Sequence, residues 1–108
     1  MARAMWRKKL DPAGIDEYVR AHAEPWPELL AQIKASGIRN YSIFLDGDEV
    51  FGYFEHDDLA ALDALNALNA EPNELSERWE AGMRPLSADK ESADQGMVQM
   101  RRIVFLCE

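Results

Sequence analysis

The stretch from Ile38 to Glu55, IRNYSIFLDGDEVFGYFE, decides the fold. Its two halves, residues 38–45 (IRNYSIFL) and 50–55 (VFGYFE), are rich in the β-branched and aromatic side chains that fit a pleated, half-buried surface. Asp46-Gly47 between them is a hairpin signal, because the tightest hairpin turns need a positive φ that glycine adopts without steric cost. Two antiparallel strands are therefore expected in the middle of the chain.

Upstream, residues 2–10 place Ala2, Ala4, Trp6 and Leu10 on one parity and Arg3, Arg7 and Lys9 on the other, which is the period of a half-buried strand. Lys8 interrupts the apolar parity. Asp11-Pro12 supplies a cap followed by proline at the first helical position, and Asp16 and Glu17 suit the positive end of a helix over 12–23. Pro25-Trp26-Pro27 then forces a corner, after which Pro27 opens a second helical segment that ends at Gly37.

Downstream, Asp57 and Asp58 cap a helix in which Leu59, Leu62, Leu65 and Leu68 recur every three residues as a core stripe. Glu71-Pro72-Asn73 ends it and begins a short helix with Leu75, Trp79 and Met83 at spacings of four, stopped by Arg84-Pro85. Ser87 to Gly96 (SADKESADQG) has no large apolar residue and reads as a solvated loop, and residues 97–106 (MVQMRRIVFL) read as the last strand. The order is β-α-β-β-α-β, with each α in two pieces. That is an α+β, ferredoxin-like antiparallel sheet with helices on one face.

The 108 residues have room for one domain, and neither a repeat nor a linker divides them. A sheet covered on one side leaves its other face bare, and Trp6, Tyr41, Ile43, Tyr53 and Phe105 cannot all lie beneath the helices. A second copy of the chain is the economical cover, so a homodimer is expected.

Twenty acidic against twelve basic residues give a formal net charge of −8. A surface of that sign repels phosphate backbones and anionic headgroups, which argues against nucleic acid or a membrane as partner. The basic run Arg7-Lys8-Lys9 reads as a solvated strand face or edge. No apolar run approaches the roughly 18 residues of a membrane span, and MARAMWRKKL lacks the apolar middle of a signal peptide. The single Cys107 can form no internal disulfide; it reads as a packing residue in a protein of the cytoplasm.

Of the two histidines, His22 lies one helical turn beyond Tyr18 and four residues before Trp26. A histidine beside a phenol can give or take a proton near neutral pH, although on spacing alone the pair also fits an exposed histidine beside a packing tyrosine. His56, Asp57 and Asp58 are consecutive and do not converge as metal ligands do, so no metal site is expected. The chain has no glycine-rich phosphate loop, serine-nucleophile motif or Cys/His cluster. Tyr41 and Trp79 are of the type that stacks on the apolar faces of sugars, and either also suits a core.

Three runs carry a resemblance. Glu17-Tyr18-Val19-Arg20-Ala21-His22, then Trp26-Pro27-Glu28-Leu29, then Gly37 to Asp46 resemble the L-rhamnose mutarotase family, with its EYxxxH, WPEL and NYSIFL signatures in order and spacing. Leu75 to Met83 (LSERWEAGM) is similar to that family's QRWW segment, and Val104-Phe105-Leu106 to its closing VFxL strand. The resemblance implies a ferredoxin-like protein of the dimeric α/β-barrel type that needs no cofactor. It would open and reclose the pyranose ring of a 6-deoxy-L-hexose such as L-rhamnose. By motif match His22 is the expected proton donor, and Tyr18, Tyr41 and Trp79 are expected to line the sugar site. Many members carry two adjacent tryptophans, and here the second position is Glu80. Relatives are also associated with L-fucose, so the resemblance leaves the sugar open. Two rival readings share the architecture: a non-catalytic small-ligand-binding module, and a cofactor-free monooxygenase.

Overall fold

The computed structural model describes residues 2–68 and 74–107. Four strands, β1 (Ala2–Lys9), β2 (Arg39–Asp46), β3 (Glu49–His56) and β4 (Val98–Met100), form an antiparallel sheet in the order β2-β3-β1-β4. The helices are α1 (Ile15–Ala23), α2 (Pro27–Ala35), α3 (Leu59–Leu68) and α4 (Glu74–Met83), with one-turn 3₁₀ segments at Pro12–Gly14 and Arg84–Leu86. This is the expected α+β, ferredoxin-like arrangement.

The hairpin turns where Asp46-Gly47 predicts it, with Gly47 at φ 61° and Asp46 paired to Glu49. Toward the other end of β2, the pairs Arg39 to Glu55 and Ser42 to Tyr53 leave Asn40 and Tyr41 opposite Phe54 alone. This is a β-bulge, with Asn40 at φ 50° and its side-chain amide donating to the Glu55 carboxylate. Tyr41 stacks on Phe54 with ring centroids 5.7 Å apart.

Alternation along β1 buries Ala4, Trp6, Lys8 and Leu10, and along β3 it buries Val50, Gly52 and His56. Trp6 pairs with Gly52, and a β-carbon on Gly52 would lie 2.1 Å from the indole, so the bare glycine is what lets the ring lie flat across β3. Leu10, Tyr18, Val50 and Met83 complete a core cluster around Trp6. The helix starts are capped where expected: Asp11 Oδ1 accepts from Ala13 N at 3.0 Å, and Asp58 Oδ1 accepts from Ala60 N at 3.0 Å and Ala61 N at 3.2 Å, while Asp57 pairs with Arg39. The first helical stretch differs in beginning as a 3₁₀ turn.

Five expectations are corrected. The last strand spans only Val98–Met100 rather than 97–106. β4 runs antiparallel to β1 with Met100 opposite Met5, so β1 ends within a few residues and the rest has nothing to pair with. Arg101 meanwhile turns aside to a bidentate pair with Asp63 of α3, at 2.7 and 2.8 Å. Cys107 therefore lies exposed rather than packed. The leucine stripe of α3 is only partly core, with Leu62 buried, Leu59 half-buried and Leu65 exposed; the Leu68 side chain and Glu71-Pro72-Asn73 lie outside the described residues. Finally, Lys8 is not a solvated charge, and the polar 87–96 loop is not wholly solvated. Ser87 and Gln95 are buried, with Ser87 Oγ and Lys8 Nζ both donating to Gln95 Oε1, at 2.7 and 3.2 Å.

Trp6, Tyr41 and Ile43 belong to the helix side. The opposite sheet face carries Met5, Phe44, Phe51, Tyr53, Val98 and Met100, and Phe44 is 61% exposed.

Candidate active site

α1 ends where Pro25 and Pro27 prevent its continuation, and this places His22 in its last turn at the rim of the sheet. The spacing of four stacks His22 on Tyr18, with ring centroids 4.1 Å apart. His22 Nδ1 lies 2.8 Å from the Tyr18 carbonyl oxygen. A carbonyl only accepts, so Nδ1 bears a proton, and the neutral ring then carries its lone pair on Nε2.

α4 brings Trp79 edge-on to His22 at 5.3 Å and to Trp26 at 5.2 Å, and the Arg78 guanidinium lies over the Trp26 ring. From β2, Tyr41 accepts a 2.9 Å hydrogen bond from the Trp6 indole at its phenol oxygen. The bond fixes the phenol oxygen against the core, and Tyr41 still lines a cleft.

That cleft, about 390 Å³, lies between β2 and the α1–α2 corner. His22, Tyr41 and Trp79 line it together with Pro25, Leu29, Leu30, Ile33 and Ile43. A mostly apolar cavity of this size with a few convergent polar groups is the usual form of a small-molecule site. Three of the four expected site residues thus meet there. The fourth, Tyr18, is buried beneath His22 and supports it from below. Sequence reading did not single out Leu30, Ile33 or Ile43 for the site, since nothing separates a cleft-lining aliphatic from a core one until the elements are docked. Glu80, at the second tryptophan position, lines a neighbouring surface hollow with Glu77, Arg84 and Lys90.

The electrostatics follow from burial. Burial holds the His22 imidazolium below its ordinary range; the bond to the Tyr18 carbonyl opposes this, and the positive charge of Lys8 adds to it. Burial and the neighbouring Tyr41 push the Tyr18 phenol far up. Tyr41 is also raised by burial, against the pull of the Trp6 bond. At neutral pH the site therefore offers a neutral imidazole able to accept a proton and phenols that keep theirs. His56 has both ring nitrogens occupied, Nε2 at 2.8 Å from the Ser36 carbonyl and Nδ1 accepting from Asp58 N at 2.9 Å. It braces the end of β3. Among the described residues no three His, Cys, Asp or Glu side chains are grouped to hold a metal, and no helix is long and apolar enough to cross a membrane.

The chain matches known proteins over nearly its whole length. A family model described as L-rhamnose mutarotase matches residues 3–106. The L-rhamnose mutarotase of Acidiphilium cryptum is 35% identical over 109 residues, covering 98% of this chain and 99% of its own. That of Listeria monocytogenes is 34% identical over 99 residues, 90% of each chain. Among solved structures, an L-rhamnose mutarotase from Formosa agariphila superposes with a TM-score of 0.73 at 26% identity, covering all of both chains. Tetracenomycin F2 cyclase from Streptomyces glaucescens superposes with a TM-score of 0.63 at 19% identity, covering 100% of this chain and 98% of its own, a likeness of fold.

Proposed function

The chain belongs to the L-rhamnose mutarotase family and is an isomerase of that kind, and from this premise we propose that its 108 residues form one domain that interconverts the α and β pyranose anomers of L-rhamnose in the His22 cleft. The observation that carries the reading is the meeting of His22, Tyr41 and Trp79, from α1, β2 and α4, in one apolar cleft.

Ring opening removes a proton from the anomeric hydroxyl O1, breaks the C1–O5 bond to leave an aldehyde at C1, and delivers a proton to O5. His22 starts neutral, takes the O1 proton at Nε2, and returns it as imidazolium to the ring oxygen. It is thus the proton donor at O5, having first been the acceptor at O1. Rotation about C1–C2 and the reverse sequence close the ring as the other anomer. Proton balance is kept within one residue and one sugar, and such assisted transfer contributes roughly 10² to 10⁴-fold. The Trp79 indole and the aliphatic wall of Leu29, Leu30, Ile33 and Ile43 suit the methyl group and apolar face of a 6-deoxy sugar. Tyr18 holds the imidazole in place, and Tyr41 orients a sugar hydroxyl.

The bare sheet face supports a homodimer, with a second copy covering Phe44, Val98 and Met100. The free thiol of Cys107 suits the cytoplasm. L-fucose is the alternative sugar, since Glu80 stands where a second tryptophan is common in the family.

The test is NMR saturation transfer between α and β anomeric protons with catalytic amounts of protein. Enhanced exchange of L-rhamnose above that of L-fucose is the expected result. Enhancement of L-fucose alone overturns the choice of sugar, and enhancement of neither overturns the activity.

A further inference from the structure

β1 carries one charged side chain on its core parity, and that residue is held by a purpose-built polar network. Lys8 stands between Trp6 and Leu10 and is only 7% exposed. Its Nζ donates to Gln95 Oε1 at 3.2 Å, the same oxygen that accepts from Ser87 Oγ at 2.7 Å. Ser87 is fully buried, and Gln95 is buried and held at φ 57°, a conformation that glutamine seldom adopts. Three buried polar residues and a strained backbone position are costly for a loop that could have been solvated. What they achieve is a fixed ammonium 5.6 Å from the centre of the Tyr18 ring, on which His22 is also stacked.

We propose that Lys8, pinned by Gln95 and Ser87 against the Tyr18 ring on which His22 stacks, is a positioning residue for the anomer exchange whose charge adds to burial in favouring the neutral, proton-accepting form of His22. The inference rests on the reading of His22 as the group that moves the proton.

The other charges around His22 do not replace it. His22 sits in the last turn of α1, where the helix dipole favours a cation. On the same helix Glu17 and Arg20 are paired with each other, and Glu24 lies at its end. On α4 the Arg78 guanidinium is over Trp26. Burial draws the Lys8 ammonium itself down from the ordinary lysine range; Glu80 opposes this and the nearby Arg84 adds to it. Tyr41 of β2 remains an uncharged phenol. Lys8 is thus a buried cation beside the Tyr18 ring, and its repulsion adds to the larger effect of burial in drawing His22 down.

The experiment measures the His22 ring-proton titration by NMR, and in parallel the pH profile of kcat/KM for anomer exchange, in wild type, Lys8→Met and Lys8→Arg. Methionine fills the space without the charge, and arginine keeps the charge. The expected result in Lys8→Met is a His22 midpoint raised by about half a unit to one unit, as for one charge removed through a partly screened path. The acid limb of the profile should move by the same amount, and Lys8→Arg should return both toward wild type. Gln95→Ala, which frees the ammonium without removing it, is expected to fall between. A residue that merely anchors the loop would lower the melting temperature and leave the His22 midpoint in place, and that outcome overturns the proposal. A moved midpoint with an unmoved activity profile overturns the part played by Lys8 in the reaction, together with the reading of His22 beneath it.

Discussion

Gly52 acts on the site at one remove. The Trp6 indole lies across the space its side chain would occupy, and the Trp6 Nε1–H in turn holds the Tyr41 hydroxyl at 2.9 Å. Gly52→Ala must displace the ring, so it is expected to destabilise the protein by about 1–3 kcal/mol, the usual range for overpacking. The urea midpoint measures this, and exchange per folded molecule should also fall as Tyr41 shifts. His22 leaves a second mark at this scale, in stability against pH. Its folded pKa lies below its ordinary 6.5, so between the two values the unfolded chain binds a proton that the folded chain does not. Stability should therefore fall as pH drops from about 6.5 through the folded pKa. His22→Gln should flatten that decline, and thermal melts of both proteins across this range check it.

The elements were legible in the sequence in proportion to how local their causes are. The hairpin was plain because Asp46-Gly47 and the flanking strands are contiguous, and the corner at Pro25-Trp26-Pro27 because proline acts on its own backbone. The α3 cap is equally local: Asp58→Ala removes the acceptor of two backbone N–H groups and should cost about 1 kcal/mol, read as a drop in melting temperature with activity retained. The shortness of β4 was not legible, since it depends on where β1 stops and on Arg101 reaching Asp63, 38 residues away. Nor was the burial of Lys8, whose partner lies 87 residues off in a loop that composition reads as solvated. In the site, His22 and Tyr18 were visible as a pair one helical turn apart. That Tyr18 would sit beneath the imidazole rather than in the cleft depends on how α1 packs on the sheet.

Across the molecule, one face of the sheet is covered by helices and the other is not. Met5, Phe44, Val98 and Met100 are exposed on it, and Val104 and Phe105 beyond β4 are 91% and 82% exposed. An apolar surface of this kind in a chain of net charge −8 calls for a self-complementary partner. Sedimentation at micromolar concentration should therefore report a dimer. Phe44→Glu, which sets a charge at the most exposed apolar position of β2 on that face, should weaken association at least about tenfold, worth roughly 1.4 kcal/mol. A wild-type protein that stays monomeric would leave that face unexplained.

The most direct test of the whole account is His22→Ala, compared with wild type by saturation transfer on L-rhamnose at equal folded concentration. If His22 carries the proton between O1 and O5, the exchange enhancement should fall by about 10² to 10⁴-fold while the far-ultraviolet spectrum and the assembly state remain those of wild type. An enhancement unchanged per folded molecule, or one lost only in step with the melting temperature, would contradict the assignment and remove histidine from the chemistry.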